Sequence, residues 1–173
     1  LQGTFEMTRD LDASTLSSGD AAVLGSFSGT LNGNGYTIFN LKKPLFHTLN
    51  GAKVHDLVIE DANITLSNAK GILANQATDA TFESVYVVDS SLSNNQNMIG
   101  GFTGELINSS VSKSAAINIS VSGANTIGGI SGQLSKNTTV EDTYVTGSLA
   151  GNSTHSLGAR VGGITGWHSG KAI

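Results

Sequence analysis

The segment Gly128-Gly129-Ile130-Ser131-Gly132 returns almost unchanged at residues 100–104 (GGFTG) and at residues 162–166 (GGITG). Two degenerate versions precede these three, around Pro44-Leu45-Phe46 and around Gly71-Ile72-Leu73-Ala74. The central apolar residues of the five segments recur at a nearly constant interval, and only the last interval is longer; they are Leu45, Leu73, Phe102, Ile130 and Ile164. Self-similarity at a fixed period is the sequence signature of a repeat architecture, so it is interpreted before any local pattern.

A second apolar marker keeps the same period. Its members, spaced like the first marker, are Val54, Phe82, Val111 and Val140. The period is too short for tetratricopeptide or ankyrin units, and the helical patterns of those units are missing. It suits one turn of a three-sided β-helix with three short strands and three bends. We therefore predict an all-β fold, a right-handed parallel β-helix (solenoid) with coils of about 28 residues.

Alternation within each repeat predicts which side chains face the core. The recurring trios are Leu57-Val58-Ile59, Val85-Tyr86-Val87, Ser114-Ala115-Ala116 and Thr143-Tyr144-Val145. Because side chains on a strand alternate between the two faces, the outer members of each trio point inward and the middle member points outward. The sequence thus predicts an outward column formed by Val58, Tyr86, Ala115 and Tyr144.

The paired glycines are predicted to serve the bends, where either a positive φ or a close backbone approach excludes a Cβ atom. A phosphate-binding loop is the functional alternative. That loop needs a following helix and, in its Walker form, a Gly-Lys-Ser/Thr sequence, and neither occurs.

The start of the chain lacks the repeat. We predict that residues 1–43 form an N-terminal cap with the first strands, because an open solenoid end must be covered. Residues 44–173 are assigned to the coils, truncated at the C-terminus, within one structural domain. The chain begins at Leu1 without a signal peptide and ends at Ile173 just inside a repeat. We therefore expect a piece of a longer polypeptide.

Composition narrows the classes of function. Of 173 residues only 13% are charged, and small polar residues dominate, with 22 Ser, 17 Thr, 15 Asn and 22 Gly. Nine Lys and Arg residues and a net charge of -4 argue against a nucleic-acid-binding protein. No apolar run approaches the length of a membrane-spanning helix. Since cysteine is absent, stability must come from the repeat core rather than from disulfides.

The stretch from Phe27 to Leu41 (FSGTLNGNGYTIFNL), the segment from Pro44 to Leu57 and the Gly-Gly repeats together resemble a known family. They are similar to the GLUG-repeat region in the N-terminal, noncatalytic part of the streptococcal immunoglobulin-A proteases and related zinc metalloproteases. The resemblance covers roughly residues 3–166. It implies a β-helical accessory domain on a large protease that is secreted or anchored to the cell wall.

The resemblance also implies where the chemistry lies. In that family zinc is bound by a His-Glu-x-x-His helix in a separate C-terminal domain, and none of His47, His55, His155 and His168 has a second His four residues on. No catalytic residue is carried over, so we expect a fragment that is not an enzyme and binds no cofactor. The partners implied are host immunoglobulin A or another glycoprotein, and the catalytic domain of the same chain.

Two regions are candidates for a binding surface. Tyr86 and Tyr144 lie on the outward column, and exposed tyrosine is favoured in recognition because it supplies contact area at small entropic cost. The insertion at residues 151–160, which contains His155 and Arg160, accounts for the longer last interval, and insertions in solenoids often carry binding. The alternative for both regions is an ordinary surface role.

Two other functions remain open. One is a repeat domain of an unrelated bacterial adhesin. The other is a carbohydrate-active β-helix enzyme, for which stacked carboxylates such as Asp61 with Asp89, or Glu83 with Glu141, would be needed. A Ser/His/Asp set can also be assembled from Ser153, His155 and Asp142, although coincidences of this kind are expected in so serine-rich a chain.

Overall fold

The computed structural model describes residues 1–16, 19–153 and 158–169. Within these ranges all regular structure is β. In chain order the strands are β1 (Thr4–Glu6), β2 (Leu11–Asp12), β3 (Val23–Phe27), β4 (Thr30–Asn32), β5 (Thr37–Phe39), β6 (Phe46–Asn50), β7 (Lys53–Glu60), β8 (Asn63–Ile64), β9 (Ala74–Thr78), β10 (Thr81–Val88), β11 (Ser91–Ser93), β12 (Met98–Gly100), β13 (Thr103–Ile107), β14 (Ser110–Ser112), β15 (Ala115–Gly123), β16 (Thr126–Gly128), β17 (Ser131–Ser135), β18 (Thr139–Glu141), β19 (Tyr144–Gly151), β20 (Arg160–Gly162) and β21 (Thr165–Ser169). No helix in the described ranges is long and apolar enough to cross a membrane.

Every one of these strands pairs in parallel with a counterpart one coil away. The six-stranded sheet runs in the order β3-β6-β9-β13-β17-β21, and a three-stranded sheet runs β12-β16-β20. The remaining strands form one long sheet that holds β1, β4, β7, β10, β15 and β19 on successive coils. About five turns with ~28-residue spacing result, which confirms the predicted parallel β-solenoid. The predicted right-handedness stays a prediction.

The apolar markers of the sequence are the interior columns. Val54 pairs with Phe82, Phe82 with Val111, and Val111 with Val140. The first three are completely buried, and Val140, on the last coil, is half-buried. Each apolar side chain that is fully buried in such a column contributes roughly 1.5–3 kcal/mol relative to exposure. A single coil cannot bury its inner face, so the stack is the unit of stability.

The first 43 residues follow the same stacking rule. Thr4 pairs with Thr30, which pairs with Lys53, so the first coils are shorter than the later ones. These short coils contain none of the Gly-Gly segments that mark the later repeats, which is why the sequence period does not reveal them. The boundary predicted at residue 43 stays a prediction, since the strands on both sides of it belong to the same sheets.

The repeated glycines, apart from Gly163 on the last coil, are required for close backbone approach and not for a positive φ. No glycine of the three Gly-Gly segments has a left-handed backbone. A Cβ at Gly129 would overlap the carbonyl oxygen of Gly163 and lie 2.5 Å from Val145 Cγ1. A Cβ at Gly132 would lie 2.5 Å from the backbone nitrogen of Ile99. Of the two reasons predicted for these glycines, only the close approach applies.

Aspartate and asparagine take the left-handed bends instead. Positive φ values recur at equivalent places on successive coils, in one column of Asp61, Asp89 and Asn118 and in another of Asp79 and Asn108. These residue types tolerate the left-handed region because their short polar side chains bond locally. Here they also bond between coils: Asn118 Nδ2 donates to Asp89 Oδ1 at 2.6 Å, and Asn108 Nδ2 donates to Asp79 Oδ1.

The glycine packing can be tested with two equivalent residues. We expect Gly129→Ala to lower the free energy of unfolding by about 1–3 kcal/mol, the usual cost of overpacking a filled core. Gly163, its counterpart one coil later, has no atom within 4 Å of an added Cβ and no positive φ. Gly163→Ala should therefore leave stability within about 0.5 kcal/mol of the parent. Urea denaturation measures both, and equal effects of the two substitutions would contradict the packing explanation.

Candidate functional site

The outward column is formed as predicted. Val58 pairs with Tyr86, Tyr86 with Ala115, and Ala115 with Tyr144, and Thr37 extends the column one coil towards the N-terminus. Tyr144 is 54% exposed, whereas Tyr86 is half-buried. Ala115 is fully buried although it does not belong to the core cluster. Ala115 is flanked by a tyrosine on each neighbouring coil. The column therefore forms a small aromatic surface whose middle residue has a short side chain.

A corner of charged and polar residues borders this column. The residue two positions before each column member has a positive φ; these residues are Asp56, Ser84, Lys113 and Asp142. An open depression of about 440 Å³ lies at the N-terminal end of the corner and is lined by Asn34, Gly35, Asp56, Val58, Ser84 and Tyr86. Polar groups and one aromatic ring therefore meet in a shallow concavity.

Glu83 forms the centre of an ion-pair ladder beside this corner. Lys113 Nζ donates to Glu83 Oε1 at 2.9 Å, and Lys53 Nζ lies 4.0 Å from Glu83 Oε2. The hydrogen bond and charge of Lys113 lower the pKa of Glu83, and the same hydrogen bond raises the pKa of Lys113. The three side chains are exposed, so the ladder is a surface feature screened by solvent.

Of the other two predicted binding residues, the structure describes only Arg160, which does not join the tyrosines. Arg160 lies on β20 in the three-stranded sheet, whereas Tyr86 and Tyr144 belong to the long sheet. The guanidinium carbon of Arg160 lies 4.2 Å from the centroid of the Trp167 ring, a cation–π contact between neighbouring strands. His155 lies outside the described residues. A binding role for each of the four residues remains a prediction.

The stacked carboxylates do not favour glycoside hydrolysis. Glu83, Ser112 and Glu141 occupy one register position on three successive coils. A general acid needs a raised pKa, and Lys113 lowers the pKa of Glu83. Asp89 occupies a bend in the left-handed column and accepts a hydrogen bond from the side-chain amide of Asn118. Bonding between coils accounts for Glu83 and Asp89.

The Ser/His/Asp combination is not supported either. Asp142 precedes β19 and Ser153 follows it, so the two residues lie beyond opposite ends of a long strand, too far apart to contact one imidazole. Ser153 Oγ donates to Asn125 Oδ1 at 2.7 Å. His155, the third member, belongs to the part of the chain that the structure leaves undescribed.

Metal binding would require several ligand side chains to lie together. In the described part of the chain, no three His, Cys, Asp or Glu side chains come together as ligands for a metal ion. His55 Nδ1 lies 2.8 Å from Asp56 Oδ2, but no third ligand from the described residues joins this pair. These residues therefore do not fit a zinc site, and no catalytic step is assigned to zinc within them.

The sequence predicts the stacking of Asp61 on Asp89, but the left-handed bends that these residues occupy and the polar corner were not predicted. A signal was available, because Asp61, Asp89 and Asn118 keep the period of the apolar markers. Asp and Asn at the period of a solenoid thus indicate left-handed bends, and residues with the same backbone geometry border the outward column.

Comparison with known proteins identifies a family for this chain. The sequence profile of the M26 IgA1-specific metallo-endopeptidase N-terminal region matches residues 1–89. The chain is 37% identical over 122 residues to an immunoglobulin A1 protease of Streptococcus sanguinis and 36% identical over 122 residues to one of Streptococcus pneumoniae, 66% of this chain in each case. It is 37% identical over 94 residues, 50% of this chain, to the zinc metalloprotease ZmpC of Streptococcus pneumoniae serotype 4. These matches cover only 5% to 6% of the length of the curated relatives.

The ion-pair ladder gives a prediction about pH. In Lys113→Met we expect the pKa of the Glu83 carboxyl to rise towards its ordinary value of 4.5, because the hydrogen bond and the positive charge that lower it are removed. Carbon-detected NMR titration of the side-chain carboxyl measures this shift. Lys42→Met, at an exposed lysine away from the ladder, is the matched control and should leave the pKa of Glu83 unchanged.

The sign of the stability effect follows from the directions of the two pKa shifts. The contribution of Glu83 is present above pH 4.5 and is lost as pH falls through its lower folded pKa. The contribution of Lys113 is present below pH 10.5 and is lost as pH rises through its higher folded pKa. Acid unfolding of the Lys113→Met variant should therefore depend less on pH below 4.5 than unfolding of the parent. An unchanged Glu83 titration in this variant would contradict the ladder.

Proposed function

The chain belongs to the N-terminal region of the M26 IgA1-specific metallo-endopeptidase family, and we propose that it is a noncatalytic accessory module that recognises the substrate of an extracellular zinc metalloprotease. In this proposal the substrate is a host immunoglobulin A1 or a similar glycoprotein, which the names of the relatives suggest. The module acts outside the cell, on a protease that is secreted or anchored to the cell wall. The finer assignment of its coils to the GLUG repeats stays a prediction.

The proposed division of labour is supported by the chemistry of the described residues. They bring together no zinc ligands. The best-placed carboxylate on the stacked face, Glu83, is held ionised by Lys113. We therefore place the zinc and the peptide-bond chemistry of the parent protease in another part of the polypeptide. The catalytic domain of the same chain is then the intramolecular partner of this module.

The single observation that supports recognition is the outward column. Tyr144 is exposed, Tyr86 lines a shallow depression together with Asp56 and Ser84, and the two tyrosines stand on either side of the short Ala115. Tyrosine at such a place supplies a rigid apolar body with one hydrogen-bonding tip. Since the coils are locked in register, the two rings are held at a fixed separation of two strand spacings, about 10 Å.

A spacer is the second candidate function, and the stacking itself favours it. The first and last strands of the six-stranded sheet are separated by about 24 Å at the usual strand spacing. A rod of this kind would hold the catalytic domain at a set distance from its neighbour. Family membership favours either protease role over the unrelated adhesin. A carbohydrate-active enzyme is less favoured, because Asp89 already accepts a hydrogen bond from Asn118 and Lys113 lowers the pKa of Glu83.

Recognition is tested by binding of the isolated chain to immunoglobulin A1. We expect the double substitution Tyr86→Ser with Tyr144→Ser to weaken binding about 10- to 100-fold, because each buried tyrosine at an interface commonly contributes more than about 1 kcal/mol. Surface plasmon resonance measures the dissociation constant. Leu24→Ser removes an exposed apolar side chain from the six-stranded sheet and is the control that should leave affinity unchanged.

The two roles are separated in the parent protease. If the module recognises substrate, the tyrosine variant should raise KM for immunoglobulin A1 and leave cleavage of a short hinge peptide unchanged. If it is a spacer, the tyrosine variant should be neutral, and deletion of one whole coil in register, residues 74–102, should impair cleavage of the intact antibody. Unchanged affinity in the tyrosine variant would reject the recognition proposal.

A further inference from the structure

At the N-terminal end of the solenoid the apolar core is not covered. Three residues there occupy inward positions and yet are exposed: Leu1 at 62%, Phe5 at 39% and Leu11 at 42%. Phe5 is in register with Leu31 and Val54, and Leu11 is in register with Ile38 and Ile59. On the later coils these columns are closed, with Val54 and Ile59 completely buried. Phe5 and Leu11 are exposed because no described coil covers them.

Leu1 already pairs as the last residue of a preceding strand. Its nitrogen donates to Ser26 O at 2.6 Å, and its carbonyl oxygen accepts the backbone N–H of Ser28 at 2.9 Å. These two bonds are the parallel ladder pattern that places Leu1 opposite Phe27. Phe27 in turn begins an interior column that continues through Leu49, Ala77 and Leu106.

The surface around this pair is shaped for an apolar strand. A cavity of about 220 Å³ at this end is lined by apolar side chains, among them Phe5, Phe27 and Phe46. Within the described residues β6 is the one strand that pairs with β3, so apart from the two bonds to Leu1 the other edge of β3 is open. An open parallel edge beside an apolar cavity presents unpaired backbone donors and acceptors next to uncovered core.

From these contacts we propose that the edge of β3 and the apolar cavity bind one further coil, formed by the polypeptide that precedes Leu1 in the parent protease. Its strand beside β3 runs parallel to β3 and ends at Leu1, and its inward positions carry Leu, Ile, Val or Phe above Phe5 and Leu11. The occupant is chosen by continuity of the ladder that Leu1 begins, and by the length of the relatives, of which this chain matches 6%. The inference concerns assembly of the rod and does not depend on the proposed recognition role.

The experiment compares three proteins: the chain itself, the chain with the native polypeptide before Leu1 added to the length of one coil, and the chain with an equal length of Gly and Ser added. We expect the native extension to slow hydrogen exchange of the β3 backbone amides that face away from β6 at least about tenfold. It should also raise Tm by about 4 °C or more, since burial at this end adds to the stability of the whole stack. The Gly/Ser extension should do neither. Equal exchange and equal Tm in the three proteins would overturn the proposal.

A substitution shows whether the extension covers the predicted residues. Leu11→Ser should lower Tm clearly more in the natively extended protein than in the chain itself, because only the extension completes burial of Leu11. Leu24→Ser, on β3 but outside the interior columns, should cost the same in both. An equal cost of Leu11→Ser in the two backgrounds would overturn the proposed register.

A second copy of the chain is the competing occupant. Light scattering of the unextended chain at rising concentration reveals self-association. Dimers or longer stacks that persist in the natively extended protein, without added protection of β3, would assign this end to another copy and would also overturn the proposal. A monomer at all concentrations, with protection only in the natively extended protein, is the result expected.

Discussion

The backbone of each coil hydrogen-bonds to the coil before and the coil after it, and this constraint governs the rest of the molecule. Leu45, Leu73, Phe102 and Ile130 each donate a backbone N–H to a residue of the next coil's equivalent segment. A coil must therefore return to the same position one strand spacing farther along the axis. Any side chain is then stacked on its equivalents, so interior residues become columns and surface residues become ladders. The glycine contacts, the Asp and Asn bends and the two tyrosines all follow from that one repeat distance.

This constraint also explains how much the sequence could predict. Two apolar markers with one period were enough to predict parallel stacking and the interior columns, and alternation within each repeat was enough to place Tyr86 and Tyr144 on the outside. The residues that make the bends were harder to predict, because glycine and Asp or Asn can both form a turn. Only the backbone geometry of the structure distinguishes the two. In the Gly-Gly segments the backbones come too close for a Cβ atom, whereas Asp89 and Asn118 adopt the left-handed backbone conformation. Burial of Ala115 depends on its neighbours across coils rather than on its own hydropathy.

The ends of the repeat were the least predictable part. The first coils are shorter than the later ones and carry no glycine pair, so a search at one period passes over them. Their membership of the stack is visible only from pairing, such as Phe5 with Leu31. The composition of the candidate surface was also only partly predictable. Periodicity places Tyr144 on the outside, but Arg160 belongs to a different sheet, and the sequence alone could not separate the two.

The parallel ladders also determine how the chain carries mechanical load. A pull applied to the two chain ends along the axis falls first on the outermost coil, since each coil is held mainly by its immediate neighbours. The terminal coil can then peel away while the interior ones keep their hydrogen bonds, and the rod lengthens in steps of one coil's worth of polypeptide. A side-chain hydrogen bond between coils, such as the one from Asn118 to Asp89, bears the force together with the backbone hydrogen bonds between the same two coils. Under such a load the rod yields in stages instead of rupturing at once.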